Sequence, residues 1–340
     1  MTRAAILTGQ GGFTLLELLV VVLILSAIAM VALDSLQTDT NQVRHEDTRA
    51  RLSLIRDAII GPREIGANGQ PVVAGFVADV GRLPQCLAEL VDIDANCDDG
   101  TNPDLASPPE WQLDGATNLY AGWRGPYLNV VREISGLVAF RDGWGNDVAA
   151  LPRNYGWSKF DEDSGALVVQ SLGRDGLVNP GDAGDYAALA LYEQDFPPTA
   201  DASNPTSDPD PLIAADEHQV TLGTISVTLR NDTAADITVD PNALCLRVYY
   251  PDPPNIAFTS ADSGPAPATA TTIPAGAQVT LAVAIATPAS IAWGRRGLQL
   301  VDYDGTTCAG GVDPPYNGHP LQNVTLLPQA AFPEIVWAAE

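Results

Sequence analysis

The chemistry open to this chain is carried mainly by carboxylates. Between Asp175 and Asp185 the sequence reads DGLVNPGDAGD, in which Asp175, Asn179, Asp182 and Asp185 offer hard oxygen atoms and the glycines permit tight turns. Calcium takes about six to eight such oxygens, several of them backbone carbonyls, so this stretch is a candidate cation loop. The same composition also makes a plain solvated Asp/Gly turn. A second acidic run, Asp92, Asp94, Asn96 and Asp98, imitates the start of an EF-hand loop. It carries Cys97 at the sixth position and Pro103 at the twelfth, where that motif needs Gly and Glu, and it reads as a solvated loop.

Enzymatic signatures are missing. Gly-x-Ser-x-Gly, His-Glu-x-x-His, Gly-x-Gly-x-x-Gly and the Gly-x-x-x-x-Gly-Lys-Ser/Thr phosphate loop do not occur, and Lys159 is the only lysine. His45, His218 and His319 are scattered, and His218, beside Asp216 and Glu217, reads as the start of a strand. No enzyme is expected. Forty-two Asp and Glu against 17 Lys and Arg give a net charge of −25, so no basic stripe exists to displace phosphate counterions. Nucleic acid is excluded as a partner on that ground. At 46% hydrophobic residues the chain can still build cores.

The four cysteines fall into two groups, Cys86 with Cys97 and Cys245 with Cys308. An even number without Cys-x-x-Cys spacing points to two disulfides and an oxidising compartment, with unpaired buried thiols as the alternative. The Cys86–Cys97 bridge is the firmer of the two.

One carboxylate lies in unusual surroundings. Residues 13–33 read FTLLELLVVVLILSAIAMVAL, apolar except for Thr14, Ser26 and Glu17. At about 1.5 Å per residue this run spans a bilayer core of roughly 30 Å. A polar leader, residues 1–12, precedes it and holds one basic residue, Arg3. No Ala-x-Ala-like cleavage site follows the apolar run, whereas the small pair Gly11-Gly12 comes before it. An ionised carboxylate in hydrocarbon costs several kcal/mol unless paired or neutralised, so an ordinary anchor gains nothing from Glu17.

The elements that position these groups follow from periodicity and breakers. Residues 34–60 lack Gly and Pro, and Val43, Leu52, Leu54, Ile55, Ile59 and Ile60 supply an interrupted apolar stripe. Gly61-Pro62 ends the helix, which from residue 13 would be about 72 Å long. Residues 61–196 are rich in Gly, Pro and Trp and form a head. Residues 197–216 form a Pro-rich spacer. In 217–340, runs at 219–230, 236–239, 243–250, 278–286, 297–303 and 321–327 alternate apolar and polar residues, and argue for an antiparallel β-sandwich of immunoglobulin-like type. Trp293, Arg295 and Arg296 form an aromatic and basic cluster there that could contact a ligand or belong to core and rim.

The order Gly-Phe-Thr-Leu-Leu-Glu-Leu-Leu-Val, residues 12–20, resembles the class III signal of type IV pilins and type II secretion pseudopilins. The resemblance implies cleavage after Gly12 by a prepilin peptidase and N-methylation of Phe13. It also implies that Glu17 pairs with the free amino group of Phe13 on a neighbouring subunit, setting axial register in a filament. Gly125-Pro126-Tyr127-Leu128, Trp144-Gly145-Asn146 and Ser171-Leu172-Gly173-Arg174-Asp175-Gly176 look like the head of the major pseudopilin. The family's middle motif is usually Asp-Pro-Trp-Gly-Asn-Pro, and here Gly143 and Asp147 replace the prolines. The family's calcium loop maps onto the Leu172 carbonyl and onto Asp175, Asp182 and Asp185.

The expected fold is therefore α+β, a long N-terminal helix packed on a small antiparallel-sheet head, followed by an all-β sandwich. The expected role is a pilus or pseudopilus subunit, held in an inner membrane with a periplasmic head before joining a periplasmic or extracellular filament. Its expected partners are other pilins, the prepilin peptidase and the inner-membrane assembly platform, with Ca2+ as the bound ion. The alternative is a minor tip subunit or adhesin whose sandwich binds a surface or secretion substrate.

Overall fold

The computed structural model describes residues 15–62, 64–67, 69, 71–95, 97, 107–130, 139–147, 152–157, 159–163, 165–177, 192–194, 196, 211–240, 243–251, 258–265, 270–304, 306–308 and 321–339. Helix α1 (Leu15–Ile60, 46 residues) runs unbroken because nothing in it interrupts the i to i−4 ladder. It stops at Gly61, whose φ of 73° suits glycine and whose missing Cβ leaves room for the Ala74 carbonyl. The helix has two faces of different fate. Thr48, Leu52, Ile55 and Ile59 recur at the spacing of one helical stripe and are buried. Leu54, one residue from Ile55, is turned about 100° away and lies 53% exposed; Val43 is also exposed.

The head begins with α2 (Phe76–Val80) and a 3-10 turn (Leu87–Leu90), both wholly buried. Two hairpins follow, β1 (Gln112–Asp114) with β2 (Leu119–Ala121), and β3 (Lys159–Asp163) with β4 (Ala166–Gln170). The small antiparallel sheet expected of the head is thus, among the described residues, two separate antiparallel ribbons. Cys86 and Cys97 are bridged, with Cα atoms 5.6 Å apart across 11 positions. Glu89, fully buried, accepts two 2.8 Å hydrogen bonds from the Arg82 guanidinium and one from the Gln85 amide. Such fork geometry is how a carboxylate tolerates burial.

The C-terminal part opens with a short helix α3 (Ala215–His218) and continues as strands. These are β5 (Gln219–Thr221), β6 (Thr224–Asn231), β7 (Ile237–Val239), β8 (Leu244–Pro251), β9 (Phe258–Asp262), β10 (Thr271–Ile273), β11 (Gln278–Ala284), β12 (Ser290–Ala292), β13 (Gly294–Asp302), β14 (Gln322–Leu326) and β15 (Ile335–Ala339). One sheet has the order β14-β13-β8-β9 and another β11-β6-β15, with β12-β5 and β10-β7 as short ribbons. The run expected at 219–230 is split at Leu222-Gly223, where Gly223 takes φ 47°. Among the described strands of this part, pairing is antiparallel except between β15 and β6, which run parallel. Cys245 on β8 is bridged to Cys308, 63 positions on. In chain-entropy terms bridges of these two loop lengths restrict the unfolded chain by about 3 and about 4 kcal/mol.

Head and strands are not packed apart. One cluster of buried side chains runs from Leu52, Ile55 and Ile59 of α1 through Phe76 and Val77 to Val227, Leu246, Leu298 and Trp337 of the sheets. Arg56 near the end of α1 pairs with Glu217 of α3 at 2.5 Å. Leu167 on β4 exchanges backbone hydrogen bonds with Ile213, and Gly294 lets β13 approach Ala78 of α2. Arg296, 1% exposed, spends its guanidinium on carbonyls, donating to Ala292, Trp293 and Arg295 at 2.5–3.0 Å.

Asp79 on α2 is the most perturbed acid of this core. It accepts hydrogen bonds from Arg124 Nε and from the Tyr127 hydroxyl, both at 3.1 Å. Burial pushes its pKa from 3.8 up to about 6, against the pull of Arg124 and Tyr127. The folded state therefore holds this proton more tightly than the unfolded chain. Its contribution is fully present below about pH 4 and fades as pH rises through 6, by up to about 3 kcal/mol. Denaturant unfolding of wild type and Asp79→Asn at pH 4 to 7 should show a stability difference that changes across this window. Parallel curves would show that Asp79 does not titrate there.

Candidate functional site

The first candidate site is the N-terminal half of α1. Leu15–Ala32 has a mean hydropathy of 2.9 over 18 residues, and none of it is buried by the rest of the chain. It is long and apolar enough to cross a membrane. Leu15, Leu18, Leu19, Leu23 and Met30 are all more than half exposed. Ser26 donates its hydroxyl to the Val22 carbonyl at 2.7 Å, so the helix satisfies this polar group itself. Glu17 stands in the first turn, where the unpaired amides and the helix dipole favour a negative charge. The processing residues Gly12 and Phe13 lie outside the described residues.

The second candidate site is the turn at Asp142 with the acidic loop after Ser171. Asp142, 3% exposed, is the hub. Its Oδ1 accepts the amides of Trp144 and Asn146, and its Oδ2 accepts Asn146 Nδ2 at 2.7 Å and Ser171 Oγ at 2.5 Å. Asn146 Nδ2 also donates to the Gly173 carbonyl. The Trp-Gly-Asn turn and the Ser-Leu-Gly-Arg-Asp-Gly stretch, far apart in sequence, are thus one hydrogen-bonded unit. That unit is docked on α1: Gly143 N donates to Thr48 Oγ1 at 2.9 Å, Arg51 donates to the Arg141 carbonyl, and Arg44 lies over the Trp144 ring.

This docking accounts for glycine at 143. A proline at 143 would lack the amide that meets Thr48, and a Cβ there would run into the Arg44 carbonyl. Asp147, at the end of the turn, pairs with Arg141 at 3.1 Å.

From this base the acidic loop departs. Leu172 is buried and Asp175 exposed, with Asp175 Oδ1 accepting the Leu177 amide in an Asx turn. Asn179, Asp182 and Asp185 lie outside the described residues. The two ends of the loop are tied together: Ser171 and Phe196 exchange backbone hydrogen bonds, the Arg174 amide donates to the Tyr192 carbonyl at 2.7 Å, and Arg174 pairs with Glu193. In the other acidic run Asp92 caps the Asp94 amide, while Asn96 and Asp98 are outside the described residues.

Of the Trp293, Arg295 and Arg296 cluster, only Arg295 reaches the surface; Trp293 and Arg296 are core. His218 is buried with Nε2 2.6 Å from the Gly165 carbonyl. Sequence reasoning missed Asp79, although a lone acid within the apolar stretch Phe76–Val80 was a readable signal. Asp142→Ala should cost about 3 kcal/mol or more, because Ser171 and Asn146 lose a buried charged acceptor. Chemical denaturation measures this, and a loss below about 1 kcal/mol would show that the hub is dispensable.

Residues 7–33 match the prokaryotic N-terminal methylation motif. No curated protein and no solved structure matches the chain. The motif covers the leader end, Gly12, Phe13 and the exposed apolar half of α1, and it supports a type IV pilin-like protein: a filament subunit of the kind processed by prepilin peptidase and anchored through its N-terminal helix.

Proposed function

We propose that this chain is a structural subunit of a type IV pilus-like or type II secretion pseudopilus filament. The observation that carries the reading is the exposed apolar segment Leu15–Ala32 with an acid in its first turn, inside the matched motif. Such a surface is not tolerated in water, since about 25 cal/mol is lost per Å² of apolar area left wet. In the inner membrane lipid covers it. In a filament the same helices cover one another, and the subunit leaves the bilayer without exposing it.

Glu17 gives this exchange its register. Once the leader is cleaved after Gly12, Phe13 presents a free amino group, and the Glu17 carboxylate of one subunit meets that of its neighbour. In hydrocarbon an unpaired carboxylate is costly, so positions that leave it unpaired are disfavoured. The head then stands outward, on the membrane-distal half of α1.

Calcium belongs to the same reading. The Leu172 carbonyl with Asp175, Asp182 and Asp185 is the proposed ligand set, and the ties at Ser171–Phe196 and Arg174–Tyr192 support it by fixing the loop's base. An ion bound there closes a long acidic loop whose carboxylates otherwise repel one another.

Glu17→Ala should abolish or severely reduce filaments while membrane insertion and cleavage persist, as seen by electron microscopy of sheared cells and by the mass of the mature N-terminus. Normal filaments in that variant would overturn the register. Calcium at 100 times its Kd should raise stability by about 2.7 kcal/mol. Thermal melting with and without chelator reads this, and Asp175→Ala should remove the difference; no shift in wild type would eliminate the site.

A further inference from the structure

A cleft of about 430 Å³ opens between the head and the sheets, walled on one side by Trp111, Asn118, Tyr120 and Arg124 and on the other by Arg295, Asn323 and Thr325. Its size is that of a small-molecule site. Each wall has an ordered construction. On the head side, the Trp111 and Tyr120 rings stack at 5.7 Å and 13°, and the Arg124 guanidinium lies 5.1 Å over Trp111. Tyr120 remains 56% exposed, a large flat apolar face held rigid at the rim. On the strand side, Arg295 of β13 stands directly opposite Thr325 of β14, and Asn323 stands opposite Gly297, over which the Leu119 and Leu321 side chains close.

The electrostatics of the cleft run against those of the molecule. The chain carries −25, and its described arginines mostly pair with carboxylates, as Arg51, Arg56, Arg82, Arg124 and Arg247 do. The Arg295 guanidinium has no such partner among the described residues. Asp79, the acid lining the cleft, is already held by Arg124 and Tyr127. Arg124 reaches Asp79 through Nε, and its terminal nitrogens make no other hydrogen bond among the described residues. A planar guanidinium free in a cleft is a carboxylate receptor, because its paired N–H groups match the two oxygens.

We propose that this cleft binds a saccharide bearing a carboxylate, a uronic-acid unit whose ring face lies on Tyr120 and whose carboxylate is taken by Arg295. The C–H face of a pyranose is apolar and flat enough to cover an aromatic ring. Its hydroxyls both donate and accept, which suits the amides of Asn118 and Asn323 and the hydroxyl of Thr325. The cleft is built wholly from head and strand residues, so this inference does not depend on filament assembly.

The test uses the full chain in detergent micelles. Short oligomers of galacturonate, glucuronate, mannuronate and guluronate are titrated calorimetrically, each beside its fully methyl-esterified, uncharged counterpart. At least one uronate should bind, and its ester should bind about tenfold more weakly or worse. Arg295→Ala and Tyr120→Ala should each weaken binding by about tenfold or more with unchanged melting temperature, and Arg295→Lys should restore part of it. Absence of binding by every uronate at millimolar concentration would overturn the proposal. So would equal binding of acid and ester, or full binding by both alanine variants. A glutamate-rich peptide that binds as tightly as any uronate, and depends equally on Arg295, would reassign the cleft to a protein partner.

Discussion

An apolar helix surface that no other part of the chain covers is the constraint on which the rest depends. Eighteen residues of α1, from Leu15 to Ala32, find no cover within their own chain. Folding alone cannot solve the problem this creates, because the hydrophobic effect drives burial and no intramolecular surface is there to meet it. The cover must come from lipid or from other copies. The second half of the same helix has the opposite fate: Thr48, Leu52, Ile55 and Ile59 are buried beneath the head. One helix therefore divides into a part that folds the subunit and a part that commits it to neighbours.

The way the head grips α1 is chiefly polar at one end and apolar at the other. Near Ile59 the contact is a hydrophobic core shared with α2 and the sheets. Near Thr48 it is the Asp142 hub, which fastens a turn to the helix through Thr48 and Arg51 and to the acidic loop through Ser171. Directional bonds fix orientation more sharply than apolar contact, so the loop's base is set relative to the helix axis. A carboxylate at the centre of this unit serves because it offers two oxygens, each able to accept more than one donor.

Much of this was legible in the residues. The helix end at Ile60 followed from Gly61, and the even cysteine count pointed to two disulfides, with Cys86–Cys97 the firmer pair, while the connectivity is fixed by the fold. The runs expected at 236–239, 243–250, 278–286, 297–303 and 321–327 fall on β7, β8, β11, β13 and β14, whereas β9, β10, β12 and β15 had no expected run. The failures have physical causes. Val43 and Leu54 are apolar but lie off the buried face, and a stripe with gaps does not say which members point inward. The sequence leaves Arg296 open between ligand contact and core or rim, and it is core, because a guanidinium can be satisfied by carbonyls alone, and no sequence pattern announces carbonyls. The parallel pairing of β15 with β6 joins strands a hundred residues apart in the chain, which local alternation cannot encode. The cleft was invisible for the same reason: Tyr120 and Arg295 meet only when the head hairpin is laid beside β13.

The seam between head and sheets has a mechanical meaning. Arg56 and Glu217 clamp the last turns of α1 to the first turn of the C-terminal part, and a continuous core lies beside that clamp. Tension applied at the sheets would pass straight into the helix across a shear-loaded contact. Such a seam behaves as a rivet rather than a tether. Whatever the outer strands hold, they hold on a stiff arm, and the compliance of the assembly would reside in the packing of its helices.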